Sequence, residues 1–320
     1  MALITPFDDF PIHQTAETLA VPSSSDRNHY DRYWFNGFSE EKDFLFEIGV
    51  GLYPNRHIMD AHFSISTAGK QYSYHASARM NPARYPINIG PISLEILEPM
   101  QKIRFSLKDP EKKLSCDLIF NAITESHLEP KSLMIEGTRK ILETSRFTQF
   151  GKWDGSIETE SGNLDLTKEY GTRDKSWGVR PVGEPEIGAP GKLNAEPGVY
   201  WCWIPINFGD TFTHFGTFED HDGNSTQLSA DLVEISNNEV IKPLNDISHK
   251  VDWIKGTRWS SGAQISAQEG DKKIEINAKA CGPRFHCKGI GYQHPEWGHG
   301  FWKGEEAVGY EVWDLNEINP

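Results

Sequence analysis

The residues best suited to proton or charge chemistry are concentrated in one run, Tyr170-Gly171-Thr172-Arg173-Asp174-Lys175-Ser176-Trp177-Gly178-Val179-Arg180-Pro181. In an extended strand successive side chains alternate between faces. Arg173, Lys175, Trp177 and Val179 then point one way, and Asp174, Ser176 and Arg180 the other. An aspartate among arginines has two physical roles: it locks a fold as a buried ion pair, or desolvation tunes it as an acid. Trp177 offers a π face that stabilises positive charge, although a lone tryptophan more often fills a core. Arg173, Lys175 and Arg180 are read as structural and electrostatic partners.

A second cluster, Tyr292-Gln293-His294-Pro295-Glu296-Trp297-Gly298-His299, leads into Phe301 and Trp302. The metalloprotease pattern needs two histidines four apart on one helical face. Here they are five apart, and Pro295 and the glycines break any helix. No metal is expected on these ligand-spacing grounds. His294 and His299 are instead candidate proton-transfer groups, since imidazole titrates near neutral pH, and Tyr292 and Trp297 are candidate substrate contacts.

A third group, Tyr200-Trp201-Cys202-Trp203, precedes Thr213-His214. Alternation separates Tyr200 and Cys202 from Trp201 and Trp203. Aromatic faces of this kind fill a barrel or line its cavity, so Tyr200, Trp203 and His214 join the candidate contacts.

The elements that must hold these groups are strands. Phe44–Val50, Ile58–Ile65, Gln71–Ala78, Lys102–Leu107 and Leu114–Ala122 show apolar alternation bounded by Gly, Pro and Asp. After a short, weakly patterned helical stretch near Leu133–Ser145, strands resume at Gln149–Glu158, Asp210–Asp220, Asp246–Thr257, Gly262–Ala278 and Glu305–Leu315. Many short strands favour barrels or sandwiches. We expect an all-β chain: an irregular lead-in over 1–30, a first β domain over 31–145, and a second over 146–320 that carries the Gly171–Pro181 motif.

The net charge of −14 argues against nucleic acid as a partner, because phosphate binding needs clustered cations. No stretch approaches the ~20 apolar residues of a membrane helix, and Asp8 and Asp9 spoil a secretory signal. Cys116, Cys202, Cys281 and Cys287 form no CxxC pair, which suits free thiols in a reducing, cytoplasmic setting. GxSxG, GxxxxGK[ST] and Rossmann GxGxxG signatures are all missing, which removes most weight from serine-nucleophile and nucleotide chemistry.

The Gly171–Pro181 run together with Tyr292–Trp302 resembles the AttH and carotenoid 1,2-hydratase (hydroxyneurosporene synthase) superfamily. That resemblance implies two lipocalin-like (calycin) antiparallel β-barrel domains around a hydrophobic cavity. In the carotenoid hydratases the corresponding segment reads approximately Asp, His, Asn, Trp-Gly. Asp174, Trp177 and Gly178 match it, while Lys175 stands for the histidine and Ser176 for the asparagine. The resemblance implies a cofactor-free lyase acting on a hydrophobic small molecule, with Asp174 as acid and Trp177 beside the developing cation. A cyclase of the same architecture and a non-catalytic carrier of hydrophobic molecules are the alternatives.

Overall fold

The computed structural model describes residues 4–13, 16–111, 113–183, 200–235 and 240–317. Alternating apolar residues make its first four strands, β1 (His29–Ser39), β2 (Phe44–Tyr53), β3 (Ile58–Thr67) and β4 (Lys70–Arg79), pair in sequence as an antiparallel meander. Shorter strands follow: β5 (Ile87–Ile89), β6 (Ile92–Glu98), β7 (Lys102–Lys108), β8 (Leu114–Ala122), β9 (His127–Leu128) and β10 (Ser132–Glu136). Two long strands, β11 (Arg139–Thr159) and β12 (Gly162–Val179), then form one hairpin.

The chain divides into two compact units, one of Met1–Ile187 with Gly282–Ile318 and one built on Gly188–Cys281. The second unit contributes β13 (Tyr200–Asn207), β14 (Thr211–Glu219), β15 (Ser225–Ser229), β16 (Asp231–Glu234) and β17 (Val240–Pro243) as one sheet. A second sheet there comprises β18 (Asn245–Trp253), β19 (Ser260–Glu269) and β20 (Lys272–Lys279). The chain then returns to the first unit with β21 (Glu306–Asp314), which pairs with β4. Among the described residues the first unit's sheet runs β21-β4-β3-β2-β1-β12-β11-β8-β7-β6-β5, a nearly closed antiparallel barrel.

All-β architecture is therefore what the alternation specifies. The helix expected near Leu133–Ser145 is absent; those residues form β10 and the start of β11, paired through Ser132↔Thr144 and Glu136↔Arg139. Residue 145, the expected domain boundary, lies inside β11, and β12 pairs with both β1 and β11. The Gly171–Arg180 motif thus belongs to the first unit. Gly262–Ala278 is two strands rather than one, turned at Gly270, whose positive φ suits glycine. No helix among the described residues is long and apolar enough to cross a membrane.

The barrel interior is a continuous apolar cluster. Phe35, Phe46, Phe120 and Trp153 meet edge-on at 5.2–5.7 Å between ring centres, and the Trp153 indole N–H donates to the Asn36 carbonyl. Two cations of the motif enter this apolar face, and each has its own anion. Arg173 donates to Asp9 at 2.8 Å, and Lys175 to Asp31 at 2.5 Å; all four residues are buried. Asp9 comes from the lead-in, where it also accepts the Met100 amide while its carbonyl accepts the Tyr33 hydroxyl. Burial would raise Asp31, but Lys175 and His13 outweigh it and hold the carboxyl at about 2.

Removing one member of a buried pair strands the other. Asp9→Ala should therefore destabilise the full chain by about 3–5 kcal/mol in urea unfolding, and adding Arg173→Met should recover part of it. A loss below about 1 kcal/mol would mean the pair is solvated.

Candidate active site

Strands β3 and β4 are buried on both faces. Met59, Ala61, Phe63 and Ile65 of β3 face the apolar cluster, with Tyr72, Tyr74, Ala76 and Ala78 of β4. The alternate residues Asp60, His62, Ser64, Gln71, Ser73, His75 and Ser77 would meet water in an ordinary one-sided sheet. Here the segment preceding β21 covers them and supplies their hydrogen bonds. Ser64 donates to the Gly289 carbonyl at 2.6 Å. Gln71 donates to the His286 carbonyl and accepts the His286 amide, at 2.9 and 2.7 Å. The Gly300 amide donates to Asp60 at 2.7 Å, and the Tyr53 hydroxyl to the same carboxyl at 3.2 Å.

Glycines make room for this layer. A β-carbon on Gly49 would collide with the Arg32 guanidinium, one on Gly51 with Tyr53 and Asp60, and one on Gly309 with the Trp297 indole. Trp297 instead lies parallel to His75, with ring centres 5.5 Å apart.

His299 and His294 each have a defined protonation pattern. His299 accepts from Arg180 at Nδ1 (3.1 Å) and faces the Ile290 carbonyl with Nε2 (2.7 Å), so its proton sits on Nε2. Burial, then Arg32 and Arg180, hold its pKa well below the usual histidine range. His299 is thus a neutral group that positions Arg180, because both its nitrogens are engaged. His294 accepts the Glu296 and Trp297 amides at Nδ1 (3.1 and 2.9 Å), which leaves its proton on Nε2, directed at Glu311 (2.9 Å). His75, His294 and Glu311 bring three donor atoms within 4.8 Å of one another. A metal ligated by His294 Nε2 would need the proton on Nδ1, against two N–H donors, so the arrangement favours hydrogen bonding over ligation.

Arg32 is 1% exposed, and its only hydrogen bond among the described residues is to the Ile290 carbonyl at 3.3 Å. Around it lie carboxyls that desolvation pushes upward. Asp60 rises to about 6, with burial opposed by Arg32 and by the Gly300 and Tyr53 bonds. Asp174 also rises to about 6, with burial opposed by Arg146 and reinforced by Glu129. Arg146 is itself engaged by Glu129 at 2.6 Å, which weakens its hold on Asp174. Glu47, on the neighbouring β2, is raised to about 7 by burial against the Trp34 bond.

Residues 4–320 match the model of a family of unknown function, DUF8625. The chain belongs to that family. No curated protein sequence is detectably similar. Among solved structures, this DUF8625 chain is similar to a protein from Nitrosomonas europaea proposed to be AttH, at 14% identity and TM-score 0.52, over 74% of this chain and 76% of that one. It is also similar to kievitone hydratase from Nectria haematococca, at 13% identity and TM-score 0.49, over 81% and 82%. CghA matches at 9% identity and TM-score 0.48, over 85% and 82%. The likeness bears out the AttH-like expectation at the level of an all-β fold with a nearly closed antiparallel barrel.

The structure gathers Arg180, Tyr292, His294, Trp297 and His299 into the layer, and Asp174 lies on the same sheet face by register through Trp34, Gly49 and His62. It separates Asp174 from Trp177, which sits on the opposite face of β12, stacked on His13 at 3.9 Å with Lys175 beside it. Arg173 is likewise on the far face, where alternation places it, and pairs with Asp9. Tyr200, Trp203 and His214 belong to the second unit. Tyr200 lines a cleft there of about 340 Å³ with Cys202, Ile204, Val251 and Trp253. Trp203 stacks on Trp201, and His214 packs edge-on against Phe212.

Sequence reasoning passed over Arg32, Tyr53, Asp60, His62, His75 and Glu311. The available signal was alternation: Asp60-x-His62-x-Ser64 beside Gln71-x-Ser73-x-His75, with Gly49-x-Gly51 next door.

The Asp174 carboxyl has no hydrogen-bond partner among the described residues, and the residue is 8% exposed. Its folded pKa exceeds the unfolded value, so ionisation costs stability; the cost is absent below about pH 4 and complete above about pH 6. Asp174→Asn should stabilise the chain by about 3 kcal/mol at pH 8 and by nothing at pH 4, in urea unfolding. An equal effect at both pH values would contradict the raised pKa.

Proposed function

We propose that the chain is an acid–base enzyme of lyase or cyclase type acting on a small, largely apolar molecule, with Asp174 as proton donor. The observation that carries this reading is a nearly buried carboxyl at about 6, without a hydrogen-bond partner among the described residues, on the face that holds Arg180 and Arg32. General acids work best when their pKa lies near the working pH. In a hydration, the Asp174 O–H proton would pass to one carbon of a double bond and water oxygen would bond to the other. The water's surplus proton then returns to the carboxylate, so Asp174 is regenerated and water is the only reagent consumed.

Trp177 cannot face that carbocation, because it lies across β12. The aromatic faces on the Asp174 side, Tyr30 and Tyr292, already carry guanidiniums: Arg180 at 4.6 Å and Arg32 at 5.5 Å. Charge control there belongs to the arginines and tyrosines, with His299 fixing Arg180. His294 is committed to Glu311 and to two amides, which sets it apart from the role of acid.

Incubation with a small-molecule cell extract, read by mass spectrometry, tests the reading. Wild-type protein should deplete a compound and yield a product of equal mass or one differing by water. The rate should fall about tenfold per pH unit above pH 6, and Asp174→Asn should lose at least 100-fold. The aromatic cleft of the second unit supports the carrier alternative; recovery of one unchanged compound at stoichiometric level would favour it and overturn the enzyme.

A further inference from the structure

Two buried imidazoles in the first unit form a contact that the proposed chemistry does not use. His62 and His75 are 1% and 0% exposed, sit opposite each other on β3 and β4, and approach Nδ1 to Nδ1 at 2.8 Å. At that distance one nitrogen donates and the other accepts, so the pair shares a single proton in that contact. Both outer nitrogens lack a hydrogen-bond partner among the described residues. Each nevertheless points at a carboxylate: His75 Nε2 is 3.4 Å from Glu311, and His62 Nε2 is 3.8 Å from Asp60. Glu311 is about one-third exposed, and Asp60 is buried.

We infer that Glu311, His75, His62 and Asp60 form a proton relay that carries a proton from the surface to a second buried carboxyl, Asp60. The relay rests on the reading of this layer as an acid–base site and adds a route by which a surface proton reaches a carboxyl other than Asp174. It has two states that differ by one proton on Asp60, with both rings neutral in each. In the first, His75 carries its proton on Nδ1 and donates to His62, whose Nε2–H faces the Asp60 carboxylate. A proton from water arrives at His75 Nε2 past Glu311. The His75 Nδ1–H bond breaks as His62 Nδ1–H forms, and the His62 Nε2–H bond breaks as Asp60 O–H forms. In the second state the Asp60 hydroxyl faces the bare His62 Nε2, and His75 Nε2–H faces Glu311. Neither ring becomes a cation at rest, which agrees with the downward push of burial on both pKa values.

The groups around the relay set its direction. Asp60 is faced by Arg32 from β1, Tyr53 from β2, His62 from β3, Arg180 beyond β12 and the Gly300 amide. Glu311 is held at about 2 by His75 and His294, against burial. It therefore stays a carboxylate while Asp60 titrates. Above pH 6 the buried, poorly screened Asp60 anion needs a donor more than the one-third-exposed Glu311 does, which His294 already serves. The first state then dominates, and protonation of Asp60 selects the second.

Imidazole ¹⁵N–¹H spectra of the full chain between pH 5 and 8 test this. As pH falls through about 6, His62 should change from Nε2–H to Nδ1–H and His75 from Nδ1–H to Nε2–H, with one shared midpoint. Asp60→Asn should abolish the change and Asp174→Asn should leave it intact. Glu311→Gln, which keeps the shape but loses the charge, should move the midpoint to lower pH. Fixed tautomers, separate midpoints, a doubly protonated ring, or an unmoved midpoint in Glu311→Gln would each overturn the relay. None of these readouts involves turnover, so a failed relay leaves the assignment of Asp174 standing, and the converse holds.

Discussion

The first unit depends on the burial of a polar sheet face. Strands β2, β3 and β4 present glycine, serine, histidine and aspartate on the side away from the apolar core, and the segment before β21 covers that side. Buried polar groups are costly unless paired. The covering segment answers with the carbonyls of His286, Gly289 and Ile290 and the amides of His286 and Gly300. Gly49 and Gly51 contribute by subtraction, since any side chain there would displace Arg32 or Tyr53.

The two faces of β12 divide the charged motif into jobs of different kinds. Arg173 and Lys175 turn toward the apolar interior, where each has a fixed anion, Asp9 or Asp31. These pairs fasten the lead-in and β1 to the hairpin of β11 and β12. Asp174 turns the other way, where Arg146 is engaged by Glu129 and no hydrogen-bonded partner among the described residues neutralises it. A strand that reads as one charged cluster is therefore two, and only one carries a carboxyl whose pKa burial raises. Lys175 faces Asp31 rather than the polar layer.

Strand alternation made the β-class, most strand positions and the face assignment of residues 173–180 legible before the structure. The site was legible only in pieces. Asp174, Arg180 and His299 stand out by residue type, but Asp60, His62 and His75 look like the wet side of an amphipathic hairpin. What buries them is a segment more than 200 residues away, and periodicity holds no record of a cover so distant. The weak pattern at Leu133–Ser145 suggested a helix because Leu133 and Ile135 are exposed, at 55% and 59%, so tertiary burial left no clean strand signature there. Strand β11 runs through residue 145, where halves of similar length and texture suggest a break.

Desolvation raises the Asp60 and Asp174 carboxyls to about 6 beside arginines that do not neutralise them. Selective ¹³C labelling of aspartate carboxyls, titrated from pH 3 to 9, addresses that shift directly. The Asp60 and Asp174 resonances should move with midpoints close to 6, while Asp31 stays ionised down to about 2. Midpoints for Asp60 and Asp174 at the ordinary value near 4 would show a solvated layer and contradict both the proton donor and the relay.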